Sequence, residues 1–212
     1  INNDSVRGPY LDNTDVFTVM NSVIAAAAKV VFVQQPSNTT AGGTISPAVT
    51  VQLQDASGNN VSTSGVLITM SLSGTGVLSG TTTRTTNASG LATFNDLSIN
   101  LVGSKNLTAS SDGLPSAISN TFTISVGTAT KVVFVQQPSD TAAGAAISPA
   151  VTVQLQDGSG NNVSTSGVSI TMLLSSGTGV LSGTTLQTTD ASGLATFNDL
   201  SIDLTGSKNL TA

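Results

Sequence analysis

The chain has 212 residues, enough for one large domain or for two of about 100. Only 8% of them are charged, the formal net charge is −5, and the six Lys and Arg are scattered, which argues against a nucleic-acid-binding surface. Cys, His and Glu are absent, so disulfides, thiolate metal sites and most catalytic constellations cannot be assembled.

With 3% aromatic residues and no Trp, any core must be aliphatic. Abundant Thr, Ser, Val and Gly favour strands joined by turns over helices. The nearest approach to a membrane span is Val23–Val33, and Lys29 interrupts it. Ile1 brings neither an initiator Met nor a signal peptide, the pattern of a processed product or a fragment.

Residues 1–28 form an N-terminal segment. Within it Arg7–Val19 aligns without a gap on Asp112–Ile124, placing Phe17 on Phe122, Thr18 on Thr123 and Val19 on Ile124. Residues 15–19 therefore read as a last strand without a domain of its own. From Lys29 the chain is a duplication: Lys29–Ala109 matches Lys131–Ala212 with twelve substitutions and one inserted Ser near Ser175–Ser176. The expected units are repeat 1 at 29–126, a linker at 127–130, and an incomplete repeat 2 at 131–212.

In chain order, repeat 1 predicts strands at 29–34, 48–54, 66–72, 77–81, 91–99, 105–110 and 120–126. In 48–54, Val49, Val51 and Leu53 point inward, with Thr50, Gln52 and Gln54 outward. Asp55–Asn60 is a turn, because Asp bonds its own backbone while Gly and Asn tolerate positive φ. In 66–72 the copies keep Val66, Ile68, Met70 and Leu72 but exchange Leu67 for Ser169 and Ser71 for Leu173, so one face is held and the other drifts. Phe94 should fill the core centre, and Phe122, Ile124 and Val126 share an inner face. About seven short strands in about 100 residues predict an all-β fold of tandem antiparallel β-sandwiches. The second lacks a counterpart of its last strand.

Chemistry is sparse. Asp96 and Asp199 occupy corresponding positions of the two copies, which reads as structure rather than catalysis. Asp55 and Asp157 are candidate Ca²⁺ ligands, each with an oxygen-rich turn after it, yet each turn has one carboxylate and Asx-turn bonding already accounts for it. No cofactor is expected. Sequons begin at Asn38, Asn60, Asn87, Asn106, Asn162 and Asn209, as a chain rich in Asn, Ser and Thr produces by chance.

The stretch VTVQLQDASGNNV and, further on, TTNASGLATFNDLSI together resemble the bacterial immunoglobulin-like repeats of invasin- and intimin-type adhesins and other giant surface proteins. That resemblance covers Lys29 onward. It implies immunoglobulin-like sandwiches stacked into a stiff, non-catalytic rod on a bacterial cell surface, a spacer or adhesive element with no single ligand. Expected partners are neighbouring identical or similar modules, including a homopolymer, and not nucleic acid or a spanned membrane. Lys29 and Asn120 also have the residue types of the isopeptide bond known in immunoglobulin-like surface proteins, against a simple solvated Lys. The alternative is a filament subunit whose donor residues Val16, Phe17, Thr18 and Val19 fill a neighbour's open repeat 2 by strand addition.

Overall fold

Alternating apolar and polar residues become strands from Lys29 onward, and no helix occurs among the residues described, 26–212 of the computed structural model. Val16, Phe17, Thr18 and Val19, the expected donor strand, lie outside the described residues. Repeat 1 contains β1 (Lys29–Gln34), β2 (Thr39–Thr40), β3 (Val49–Gln54), β4 (Leu67–Ser73), β5 (Leu78–Ser79) and β6 (Thr83–Thr85). It continues with β7 (Leu91–Phe94), β8 (Ser98–Ile99), β9 (Gly103–Ser111), β10 (Leu114–Ile118) and β11 (Phe122–Ser125).

These strands make two principal sheets, ordered β1-β3-β7 and β2-β11-β9-β4-β6, with β10 paired to β9 and a small β5-β8 pair. Pairing is antiparallel except between β11 and β2. Val49, Val51 and Leu53 of β3 are fully buried, as are Ala92 and Phe94 of β7, and they meet Ile68, Met70, Leu107, Phe122 and Ile124 of the other sheet in one core. Burying a Val, Leu, Ile, Met or Phe side chain of this kind contributes about 1.5–3 kcal/mol over leaving it in water. The face of β4 that both copies keep is the buried one, whereas Leu67 is 54% exposed and Ser71 faces solvent.

Several expectations are corrected. The predicted strand 91–99 breaks after Phe94, because Asp96 turns to accept bonds from the Thr81 backbone N–H and hydroxyl at 3.0 and 2.6 Å. Residues 112–113 make a two-residue turn between β9 and β10, so a hairpin stands where no strand was assigned. Asp-Gly is the usual signal for such a turn. Gln52 keeps the outward side of β3 but is buried rather than solvated; its amide donates to the carbonyls of Leu53 at 3.1 Å and Ser89 at 2.9 Å, satisfying backbone that the alternation rule does not see. Val126 lies past the end of β11 and is exposed, not inward.

Repeat 2 contains β12 (Lys131–Gln136), β13 (Val151–Gln156), β14 (Ser169–Thr171), β15 (Leu173–Ser176), β16 (Leu181–Ser182), β17 (Leu186–Thr188), β18 (Leu194–Phe197), β19 (Ser201–Ile202) and β20 (Asn209–Thr211). Its own core gathers Val151, Val153, Leu155, Ile170, Met172, Ala195, Phe197 and Leu200. The β12-β13 register copies that of β1-β3, down to the irregularity after Phe32 and Phe134. The inserted Ser is absorbed as a β-bulge: Leu174 pairs Leu210 and Ser176 pairs Asn209, leaving Ser175 over.

Candidate functional site

Two features of the duplicated scaffold differ between the copies. The first is the turn after β3 and β13. In repeat 1 the Asp55 carboxylate accepts the Asn59 backbone N–H at 2.8 Å and the Asn59 side-chain amide at 2.9 Å. The Asn59 side-chain bond is the largest of the effects that hold the Asp55 carboxyl below its ordinary range. In repeat 2 Asp157 accepts the Asn161 backbone N–H at 2.9 Å and both its oxygens receive the Asn161 amide.

Beyond these shared internal bonds, the second turn grips repeat 1. Asp157 accepts the Gly127 backbone N–H at 3.1 Å, and the Asn161 amide donates to the Asn100 carbonyl at 2.9 Å. Thr130 N–H donates to the Gln156 carbonyl at 2.9 Å, so the linker is tied to repeat 2 at both ends. Gly42 of repeat 1 lies against Ser159; a Cβ there would sit 2.8 Å from the Ser159 hydroxyl. Asp157 and Asn161 are consequently only 2% and 7% exposed, whereas Asn59 is open to solvent. Burial pushes the Asp157 carboxyl up, but the N–H groups of Asn161 and Gly127 outweigh it, and its net position is below the usual carboxylate range.

The second feature is the slot that β11 occupies in repeat 1. There Phe122 and Ile124 are buried, with β11 running antiparallel to β9 through Phe122–Lys105 and Ile124–Gly103 and parallel to β2 through Ile124–Thr39. The corresponding region of repeat 2 is a groove of about 430 Å³, bordered by Thr141, Ala142, Gly206 and Lys208 over a floor of Ile147 and Ile202. Lys105, paired with Phe122 in repeat 1, is 2% exposed and donates to the Thr75 and Val102 carbonyls at 2.8 and 3.2 Å. Its counterpart Lys208 lines the groove and donates to the Thr205 carbonyl at 3.0 Å.

The remaining sequence candidates take structural positions. Asp96 and Asp199 bind Thr81 and Thr184 in matching turns, and those bonds hold both carboxyls below their ordinary range. Among the described residues, no three or more Asp side chains converge. Lys29 and Asn120 sit at opposite ends of β1: Lys29 pairs Gln54 beside the turn, while Asn120 N–H donates to the Gln35 side chain. A six-residue strand spans about 20 Å, so the geometry does not join them. The inter-repeat grip was not predicted, since both turns carry the same motif and nothing local tells them apart.

Residues 127–210 match the family described as SMCHD1 Ig-like domain 6. No curated protein sequence matches the chain. Among solved structures, the Escherichia coli adhesin FdeC is similar at 20% identity, TM-score 0.41, over 84% of this chain and 56% of its own. The Yersinia pseudotuberculosis adhesin InvE is similar at 24% identity, TM-score 0.38, over 86% of this chain and 57% of its own. A glycosyl hydrolase family 2 member from Bacteroides cellulosilyticus matches at 20% identity, TM-score 0.38, over 47% of this chain and 14% of its own. The chain thus spans less than two thirds of the length of each of these proteins. No helix among the described residues is long and apolar enough to cross a membrane. The strand-only architecture of both copies, with the family match over the second, is that of immunoglobulin-like β-sandwich repeats.

Proposed function

We propose that this segment is a non-catalytic structural or adhesive rod at a bacterial surface, built from modules at 29–126 and 131–212 and joined by the linker 127–130. One observation carries the reading: the linker and the Asp157–Asn162 turn are bonded to each other and to repeat 1, so the junction is held at Gly127, Asn100 and Thr130 together. A four-residue connection tied at several points leaves little freedom for one repeat to swing against the other. The Asp residues that could have served hydrolysis are spent on turn geometry in both copies. Its partners on this reading are further modules of the same kind.

Small-angle scattering of the chain tests this. A narrow distribution of extended shapes is the expected result, and replacing Asp157 and Asn161 together by Ala should broaden it. A wild-type distribution already as broad as that of two freely jointed domains would overturn the rod.

A second reading is favoured by the groove of repeat 2, whose borders match those of the β11 slot. On this reading the groove takes a Phe-x-Ile/Val strand from another copy, with Val16–Val19 as donor, and copies join head to tail. Sedimentation over a range of concentrations discriminates: growth in mass that Phe17→Asp abolishes supports strand exchange. A constant monomer mass, with no binding of a peptide of residues 120–126, removes it.

A further inference from the structure

Repeat 1 carries the same turn as the one that grips it, in the same conformation and without a described partner. The bonds Asp55 N–H to Asn59 carbonyl and Gly58 N–H to Asp55 carbonyl, at 2.9 and 3.1 Å, are reproduced at the same lengths by Asp157–Asn161 and Gly160–Asp157. Gln54 and Gln156 brace Asn60 and Asn162 alike, at 3.2 and 3.0 Å. The surface that docks in repeat 2 is therefore fully formed in repeat 1.

The one difference inside the turn does not block docking. Gly158 is Ala56 in repeat 1, and a Cβ at 158 would lie 3.9 Å from the Thr130 hydroxyl, an ordinary contact. The partner side of the junction is contributed largely by main chain: the Gly127 N–H, the Asn100 carbonyl and the close-packed Gly42. Repeat 2 keeps that partner side at its far end. Gly144 replaces Gly42 with φ +79, nothing lies within 4 Å of its Cβ position, and Asp203 holds the Val180 N–H at 2.7 Å as Asn100 holds Val77.

We propose that the Asp55–Asn60 turn is a docking surface for another repeat of this kind, with a linker backbone N–H offered to Asp55 and a loop carbonyl to the Asn59 amide. This deepens the rod reading and rests on it, since it extends the observed junction to a second position by the same chemistry.

The test inserts one further copy of residues 29–130 between Ala28 and Lys29 of the full chain, so that the linker Gly127–Thr130 now precedes the original Lys29. Side-chain amide exchange is followed by NMR at Asn59 of the original repeat 1 and at Asn161. If the proposal holds, Asn59 takes on the shift and protection of Asn161, exchanging about tenfold more slowly than in the chain without the insert, the scale of one hydrogen bond. Asp55→Ala in that repeat should return Asn59 to solvent-like exchange and leave Asn161 unaffected. If Asn161 is protected while Asn59 exchanges as before, the proposal fails and the rod reading stands. If neither is protected, the rod reading fails with it.

Discussion

Asp55-Ala-Ser-Gly-Asn-Asn60 and Asp157-Gly-Ser-Gly-Asn-Asn162 fold into one turn, yet the second is sealed against repeat 1 while the first leaves Asn59 in solvent. Beside β9, Phe122 and Ile124 cover the core of repeat 1. Copies that agree at nearly every position therefore differ in burial because of what lies next to them. Local sequence builds the surface, and the neighbour decides its use.

The largest test of this contrast is Phe122→Ala. It removes an aromatic ring that is 3% exposed and should cost repeat 1 about 3–5 kcal/mol. Calorimetry should show the melting of repeat 1 fall below its value in the unsubstituted chain. Unchanged melting would mean that β11 adds nothing to the core.

Asp157→Ala comes next. It leaves the Gly127 N–H and the Asn161 amide short of an acceptor in a buried junction, a loss of about 1–3 kcal/mol. Asp55→Ala removes the same internal bonds from an open turn and should cost less by denaturant unfolding. Equal effects would erase the distinction between the two turns.

Acid should act on both turns in one direction. The carboxyls of Asp55, Asp96, Asp157, Asp190 and Asp199 all lie below their ordinary range, each through hydrogen bonds that favour the ionised form. Their stabilisation is complete above the unfolded value of about 3.9 and is lost as pH falls through the lower folded values. Melting temperature should stay level from neutral pH down to about pH 5 and drop below about pH 4. A level profile down to about pH 2 would contradict this. The smallest effect belongs to Leu67→Ser, which copies Ser169 onto the exposed face of β4 and should change stability by about 0.5 kcal/mol or less.

The strand faces were legible because the duplication acts as a filter: Ile68 and Met70 stay and are buried, while Leu67 and Ser71 trade places and are exposed. A two-residue strand such as β2 shows too little alternation to be read. Gln52 escaped because its partners, the carbonyls of Leu53 and Ser89, belong to backbone whose needs the side-chain pattern does not display. Paired substitutions elsewhere make sense only in three dimensions. A Cβ at Gly43 would press on the hydroxyls of Thr39 at 2.9 Å and Thr40 at 3.0 Å and on the Thr40 carbonyl at 3.0 Å; where repeat 2 has Ala145 it also has Ala142 in place of Thr40, which removes one of these three contacts.

Ser175 carries a last consequence. An extra residue in a strand normally turns every later side chain to the wrong face. Here the surplus is confined between Leu174 and Ser176, its hydroxyl bonded to the Asn209 carbonyl at 3.0 Å, and the pairing of Leu174 with Leu210 is kept. Genes made of near-identical copies recombine out of alignment and gain or lose codons. A sandwich that takes up such a slip within one bulge lets its gene lengthen, shorten and diversify while each unit still folds.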